Sequence, residues 1–153
     1  MKTDDWFSIA HILVVDDDLS VQRVLTTVLR AAGFFNVTCQ SDVETALATW
    51  KTTPPDLALV DLHLPGTSGF DLLQRIPSSD ESVEFLPVIM LTGDVSPEVR
   101  RRALDLGAHD FLTKPFDMVE VLLRIRNLLR TRLLNQRLLD TNSILEARVR
   151  ERT

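Results

Sequence analysis

Five short apolar segments recur along the chain, and segments with helical spacing separate them. The central apolar segments lack polar alternation, which is typical of strands buried on both faces of a parallel sheet. Parallel strands need crossover connections, and helices provide them. The sequence therefore predicts an α/β fold with a doubly wound, five-stranded parallel sheet. The predicted strands are His11–Val15, Phe35–Cys39, Leu57–Val60, Val88–Leu91 and Asp110–Thr113.

Capping residues mark the predicted helices. Gly33 follows the first helix and suits its C-terminal end, because glycine adopts the left-handed conformation without strain. Ser96 and Pro97 begin the fourth helix, and Gly107 lies beyond its end. The predicted helices are Ser20–Ala32, Val43–Thr52, Gly69–Ile76 and Ser96–Leu106, and an extended C-terminal helix runs from Asp117 to Thr153.

Polar residues follow the predicted strands at the edge where parallel strands end. The apolar run Ile12–Val15 leads directly into three adjacent aspartates, Asp16 to Asp18, of which we expect Asp18 to begin or cap the first helix. In doubly wound folds, ligands bind outside the carboxyl ends of the strands. The residues that we expect to converge at this edge are Asp16, Asp17, Asp61, Thr92 and Lys114.

Three carboxylates at one sheet edge repel each other unless a cation lies among them. Carboxylate oxygens with little sulfur or imidazole nearby suit a hard divalent ion, so the sequence predicts a site for Mg²⁺, which Mn²⁺ can replace. The ammonium of Lys114 and the hydroxyl of Thr92 are groups that can hold a phosphoryl group. A neighbouring aspartate can then act as a nucleophile and form an acyl phosphate.

Four motifs carry a resemblance to a known family. They are Val14-Val15-Asp16-Asp17, Asp61-Leu62-His63-Leu64-Pro65-Gly66, Leu91-Thr92-Gly93 and Thr113-Lys114-Pro115-Phe116. In order, spacing and position at strand ends, residues 9–130 resemble the receiver domain of response regulators in two-component signalling. The resemblance implies a flavodoxin-like sheet with strand order 2-1-3-4-5, similar to that of chemotaxis regulators.

The resemblance also implies roles for the acidic residues. Asp61 matches the phospho-acceptor. Asp17 matches a direct Mg²⁺ ligand, and Asp16 matches a partner that acts mainly through water. Asp61 also completes this metal site, together with the backbone carbonyl of His63.

The remaining motif residues match a conformational switch. Thr92 resembles the hydroxyl that moves to the phosphoryl oxygens, and Lys114 the ammonium that pairs with them. A cis peptide bond is expected before Pro115, and Phe111 occupies the position of the switch aromatic residue. Phosphorylation would draw Thr92 and Lys114 towards the acceptor and let Phe111 turn inward, which reshapes the face formed by the fourth helix, fifth strand and fifth helix.

Two residues near the site have open roles. His63 lies two positions after Asp61, and Asp94 lies two positions after Thr92. Both can tune dephosphorylation, since they border the approach of attacking water. Plain exposure to solvent explains them equally well, so the sequence leaves both interpretations open.

Composition restricts the class of protein. A membrane span needs about 18 consecutive apolar residues, and no segment of the sequence approaches that length. The N-terminus lacks the features of a secretory signal. Cys39 is the only cysteine, so no internal disulfide can form and a cytoplasmic location is expected. Residues 1–117 carry a net charge of −9 and residues 118–153 a net charge of +4. The acidic body argues against direct binding of nucleic acid.

The C-terminal segment exceeds what a receiver needs. We expect an N-terminal extension at residues 1–8, a receiver at 9–130 and a helical linker at 131–153, interrupted mid-helix before an absent output domain. One heptad register favours a parallel homodimer. It places Leu128, Asn135, Asn142 and Val149 at a, and Thr131, Leu138, Leu145 and Arg152 at d. By resemblance, three output domains are candidates: an HD-GYP phosphodiesterase, a diguanylate cyclase and a histidine kinase. We favour the HD-GYP phosphodiesterase slightly.

The predicted function is that of a phospho-accepting receiver whose partner is a sensor histidine kinase or a phosphotransfer protein. It would not be an enzyme beyond its own phosphotransfer and dephosphorylation. One alternative is a Mg²⁺-dependent phosphohydrolase with an aspartate nucleophile, although His63 stands where such enzymes generally carry a second acid. The other alternative is an interaction module that acts without phosphorylation.

Overall fold

The computed structural model describes residues 3–76, 85–93 and 96–152. Within these ranges the strands are β1 (His11–Val15), β2 (Asn36–Gln40), β3 (Leu57–Asp61), β4 (His63–Leu64), β5 (Thr67–Ser68), β6 (Val88–Thr92) and β7 (Asp110–Thr113). The helices are α1 (Thr3–Ile9), α2 (Leu19–Ala31), α3 (Val43–Thr52), α4 (Gly69–Arg75), α5 (Pro97–Asp105) and α6 (Met118–Arg152).

The main sheet confirms the predicted fold class and strand order. Its order is β2-β1-β3-β6-β7, and all four strand pairs are parallel. This is the predicted order 2-1-3-4-5, because β4 and β5 form a separate antiparallel ribbon. Strands β1, β3 and β6 are fully buried along their length, which explains why their sequences lack alternation.

Helices cover both faces of the sheet, and each face has its own apolar cluster. Residues of α3, α4 and α5 pack on one face, where Trp50, Phe70 and Met90 are buried. Residues of α1, α2 and α6 pack on the other, where Leu29, Phe34 and Ile125 are buried. Since both faces are covered, only the ends of the strands remain available for a polar site.

Several predicted boundaries differ from the structure by one residue, and two of these differences have a clear physical reason. Strand β2 begins at Asn36 rather than Phe35, because the chain turns at Gly33, which has a φ of 99°, and Phe34 takes the buried position. Phe35 is 62% exposed instead. Helix α4 ends before Ile76, whose backbone is extended. The reason is that a following proline, Pro77 in the sequence, disfavours helical backbone at the preceding residue.

Helix α1 and the β4–β5 ribbon were not predicted. Helix α1 lies in the segment expected to be an extension, yet its Phe7 is 7% exposed and packs against Phe34, with ring centroids 5.5 Å apart. Nδ2 of the Asn36 side chain donates to the backbone carbonyl of Ile9. Seven residues give too weak a periodic signal for prediction, and contacts with the body stabilise this helix.

Helix α6 continues without a break from the body into the C-terminal segment. The Asp117 carboxylate accepts a hydrogen bond from the Val119 amide at the start of the helix. Val121, Ile125, Leu129 and Leu133 pack against the body on one side of it. None of the helices in the described ranges combines the length and apolar composition that crossing a bilayer requires.

Candidate functional site

The ends of the parallel strands bring together polar residues that the sequence analysis predicted to converge. Strands β1, β3, β6 and β7 are adjacent and parallel, so Asp16, Asp61, Thr92 and Lys114 leave the sheet at the same edge. The backbone amide of Lys114 donates to the Thr92 carbonyl over 2.9 Å, which fixes the start of the loop after β7. The residues are up to 98 positions apart in sequence, and the parallel register makes them neighbours.

Asp16, Asp17 and Asp61 form an acidic cluster. One carboxylate oxygen from each lies within 4.8 Å of the others. Asp16 is fully buried and Asp61 is 5% exposed, whereas Asp17 is exposed. Two buried carboxylates and one open to solvent give a site that can be reached from one side.

Lys114 is the cation of this cluster. Its Nζ donates to Oδ2 of Asp61 and to Oδ2 of Asp16, both over 3.1 Å. Partial burial lowers the pKa of Lys114, but the hydrogen bonds to Asp61 and Asp16 outweigh it, and the pKa is raised overall. One ammonium against three carboxylates leaves two negative charges, which match a divalent cation.

The protein occupies both carboxylate oxygens of Asp16. Oδ1 accepts from the Asp18 amide over 2.9 Å, and Oδ2 accepts from Lys114. Burial raises the pKa of Asp16, the Asp18 amide lowers it, and the charge of Asp61 raises it further. An aspartate engaged in this way is better suited to an indirect role at a metal than to direct coordination.

Asp18 has the predicted capping role. Its carboxylate accepts a hydrogen bond from the Ser20 amide over 2.8 Å at the start of α2. Of the three adjacent aspartates, Asp18 therefore caps helix α2, while Asp16 and Asp17 belong to the acidic cluster.

Two residues that support the aspartates were missed by sequence reasoning. Nε2 of Gln22 donates to the backbone carbonyl of Asp16 and to the Ser41 hydroxyl. A Cβ at Gly69 would lie 2.5 Å from the backbone carbonyl oxygen of Asp61, so only glycine permits this close approach. The sequence did contain one signal for this close approach. Gly69 begins a predicted helix, where a residue with a higher helix propensity would be favoured unless a side chain could not fit.

The cluster opens into a cleft of about 400 Å³. Asp17, Asp61, Lys114, His63 and Gly93 contribute to its lining. His63 is exposed, and its amide donates to Oδ1 of Asp61 over 3.2 Å. Gly93 lines the cleft, and a Cβ there would meet no atom within 4 Å, so the space beside this position is open. Asp94 lies outside the described residues.

The expected switch residues lie in the adjacent strands β6 and β7. Thr92 is 2% exposed at the end of β6. Phe111 is half-buried in β7 and packs against the apolar core cluster on the α3–α4–α5 face of the sheet. The peptide bond between Lys114 and Pro115 is cis.

Comparison with known proteins connects this site to a family. The family model described as the response regulator receiver domain matches residues 12–126. The chain belongs to the response regulator receiver family. The matched range includes the five polar residues at the strand ends, and they lie in a sheet of the flavodoxin-like order.

Individual relatives agree with this assignment. The chain is 40% identical over 120 residues to the DNA-binding response regulator MtrA of Mycolicibacterium paratuberculosis, covering 78% of this chain and 51% of that protein. It is 34% identical over 119 residues to the phosphate regulon transcriptional regulatory protein PhoB of Pseudomonas aeruginosa, covering 78% and 51%. The receiver thus spans about half the length of these curated relatives.

A solved structure has the same fold. The chemotaxis protein CheY4 of Vibrio cholerae superposes with a TM-score of 0.71 at 28% identity, over 78% of this chain and 98% of that chain. The receiver is thus similar to a protein that consists almost entirely of the shared fold. Helix α1 and the end of α6 extend beyond the residues of the family match.

Proposed function

We propose that Asp61 is the phospho-acceptor of this receiver and that Asp16, Asp17, Asp61 and the backbone carbonyl of His63 hold Mg²⁺, or Mn²⁺ in its place. The observation that carries the proposal is the charge of the cluster, in which Lys114 neutralises only one of three carboxylates. When bound, the divalent ion supplies electrostatic stabilisation for a phosphoryl group.

The residues of the chain support phosphoryl transfer to Asp61. A carboxylate oxygen of Asp61 forms a bond to phosphorus, while the bond from phosphorus to the donor's nitrogen or oxygen breaks and its electron pair leaves with the donor. Asp61 is accessible from the cleft, and Gly93 leaves the approach open. Lys114 already lies 3.1 Å from Asp61 and can follow the negative charge onto the phosphoryl oxygens.

Thr92 and Phe111 form the proposed switch. Phosphorylation adds charge and acceptor oxygens next to the Thr92 hydroxyl. Movement of Thr92 towards them frees space beside β6, and the half-buried Phe111 can turn into it. This changes the face formed by α5, β7 and α6. His63 and Asp94 are proposed to tune the lifetime of the phosphoryl group.

The proposed donor is a sensor histidine kinase or a phosphotransfer protein in the cytoplasm. We propose that the receiver catalyses only its own phosphotransfer and dephosphorylation, and that it signals through α6 as a parallel homodimer to an output domain. The curated relatives are named as transcriptional or DNA-binding regulators, but the chain spans about half of their length. Their DNA binding is therefore not proposed for this receiver.

The test is phosphoryl uptake from acetyl phosphate, measured by intact mass with and without Mg²⁺. Wild type and Asp105→Asn, which alters an exposed aspartate at the end of α5, should each gain one phosphoryl group only with Mg²⁺. Asp61→Asn should gain none. Uptake by Asp61→Asn would move the acceptor elsewhere, and no uptake by wild type would favour the interaction module. Sustained hydrolysis of a small phosphate ester would favour the phosphohydrolase.

A further inference from the structure

An ion pair fixes helix α6 to the body where the helix leaves it. The Arg132 side chain is 9% exposed, and its Nε donates to Oδ1 of Asp56 over 3.0 Å. Nη1 of Arg132 donates to the Phe85 carbonyl over 2.9 Å. The other carboxylate oxygen of Asp56 accepts from the His11 amide over 2.8 Å. Arg132 is thereby joined to the residues that precede or begin three strands, at the end of the sheet opposite the acidic cluster.

This attachment sets the rotation of α6 about its own axis. Leu129 and Leu133 are buried on the same side of the helix as Arg132. Leu128 is partly buried against the body, and Oδ1 of Asn135 is buried as well. Position 128, which the sequence-based register placed in a dimer seam, is thus occupied by contacts within the chain, and Oδ1 of Asn135 is buried without a hydrogen-bond partner among the described residues.

The outward side of the helix keeps three d positions of that register and has Leu134 and Thr141 in place of its a positions. Thr131, Leu134, Leu138, Thr141 and Leu145 are all exposed, and the steps between them alternate between three and four residues. Leu134 is 51% exposed, Leu138 64% and Leu145 51%. This alternation is the spacing of a coiled-coil seam. We call these five residues the outward seam.

The two threonines of the outward seam can be buried without loss of hydrogen bonds. The Thr131 hydroxyl donates to the Asn127 carbonyl over 3.0 Å, and the Thr141 hydroxyl donates to the Arg137 carbonyl over 2.9 Å. Their donors are therefore satisfied within the helix, and each threonine can contribute its methyl group to an interface. In the register that uses Asn142 instead, an amide group would need a partner across the interface.

We propose that the outward seam binds the same seam of a second copy of this chain, in a parallel arrangement. The inference rests on the homodimer of the proposed function and assigns its surface. Arg130 and Arg137 border one side of the seam, and Asn142 borders the other. A parallel pair places arginine beside asparagine across the interface, whereas an antiparallel pair would bring the arginine sides together.

The second copy is favoured as the occupant because the helix is long and self-complementary. From Thr131 to Arg152 the helix spans three heptads, much of it beyond its contacts with the body. A single helix of that length is marginal in water. In a parallel, in-register pair, each leucine of the seam lies opposite the same leucine of the second copy, so the two seams are complementary along their whole length.

Cysteine cross-linking in the full chain tests the proposal. In a Cys39→Ser background, single cysteines are placed in the outward seam (Leu134→Cys, Thr141→Cys) or in the alternative seam (Asn135→Cys, Asn142→Cys). Parallel pairing brings equal residues of the seam within reach of a disulfide, at Cα separations of about 4.4–6.8 Å. We expect faster dimer formation at 134 and 141 than at 135 and 142, with and without acetyl phosphate.

Three outcomes overturn the proposal. Faster cross-linking at 135 and 142 assigns the dimer to the alternative seam, and equal rates at all four positions indicate random collision. A monomer mass by light scattering in both phosphorylation states excludes a second copy as the occupant. Phosphoryl uptake measured by intact mass on the same samples separates these outcomes from a failure of the proposed function.

A substitution at Leu138, which both registers share, tests whether this side of the helix forms the dimer, while the cysteine pairs distinguish the two registers. Leu138→Glu should change the dimer mass to the monomer mass, because it places like charges opposite each other in the interface. Leu123→Glu is the matched control, since Leu123 is 54% exposed on the same helix but lies outside the outward seam. Retention of the dimer by Leu138→Glu, or its loss in Leu123→Glu alone, contradicts the assignment.

Discussion

Nζ of Lys114 lies 3.1 Å from Oδ2 of Asp16, although 98 positions separate the two residues. The carboxylate is fully buried at the end of β1, and the ammonium comes from the loop after β7. Lys114 is also shared with Asp61, so it satisfies neither carboxylate alone. The metal-free cluster therefore retains uncompensated negative charge.

Asp16→Asn should stabilise the metal-free protein at neutral pH. The substitution removes a buried charge that burial and Asp61 both disfavour, while the side chain can still accept from the Asp18 amide. We expect the free energy of unfolding to rise by on the order of 1 kcal/mol. Urea denaturation in the presence of a chelator measures it, with the fluorescence of Trp50 as probe, since Trp50 is buried.

The gain from Asp16→Asn should depend on pH with a definite sign. Folding raises the pKa of Asp16 above its ordinary value of 3.8, so its contribution to stability is present below that value and is lost as the pH rises through the raised pKa. Wild type and variant should therefore be closest in acid and diverge towards neutral pH. A gap that narrows as the pH rises would contradict the assigned cause.

Mg²⁺ should stabilise the folded receiver by mass action. A ligand at 100 times its Kd contributes about 2.7 kcal/mol to the free energy of unfolding, provided that it binds only the folded state. Asp17→Asn should remove most of this gain, because it reduces the charge of the exposed side of the cluster. Asp105→Asn is the first control and should respond to Mg²⁺ as wild type does. Na⁺ at equal ionic strength is the second control.

Gly69→Ala should destabilise the receiver and disturb Asp61. The new Cβ would lie 2.5 Å from the Asp61 carbonyl oxygen and 2.9 Å from Cε of Met90. Overpacking of this kind costs about 1–3 kcal/mol, which exceeds the gain of about 1 kcal/mol expected for alanine over glycine in a helix. Urea denaturation measures the net effect, and intact mass should show slower phosphoryl uptake.

Gly93→Ala is the control for stability in that experiment. A Cβ at Gly93 meets no atom within 4 Å, so the free energy of unfolding should stay within about 0.5 kcal/mol of wild type. Equal destabilisation by the two substitutions would show that the close approach at Gly69 is not the cause.

Arg132→Met should weaken the attachment of α6. Breaking a fully buried ion pair costs about 3–5 kcal/mol. Asp56 is 23% exposed and keeps its bond to the His11 amide, so we expect a smaller loss, about 2–3 kcal/mol. Hydrogen exchange should accelerate in the turn around Arg132. Arg130→Met, which removes an exposed arginine from the same helix, should change stability by less than about 0.5 kcal/mol.

Much of the site could be predicted because it depends on position along strands. Apolar runs without alternation identified β1, β3 and β6, and their parallel order places Asp16, Asp61 and Thr92 at one edge. The capping roles of Asp18 and Gly33 were also predictable, because they depend only on local backbone geometry. The family resemblance added the expected roles of these residues in phosphorylation.

By itself, the sequence determined the five parallel strands, helices α2 to α6 and the identity of the polar cluster, since these follow from local pattern and from the rules of parallel sheets. The strand order came from the family resemblance. Tertiary structure alone decided that Gly69 must lack a side chain, that Phe7 joins the core and that Arg132 reaches Asp56. Those contacts join residues distant in sequence, and their energies depend on distances of a few tenths of an ångström. The outward face of α6 was decided in the same way, because periodicity identifies a helix but packing on the body sets its rotation.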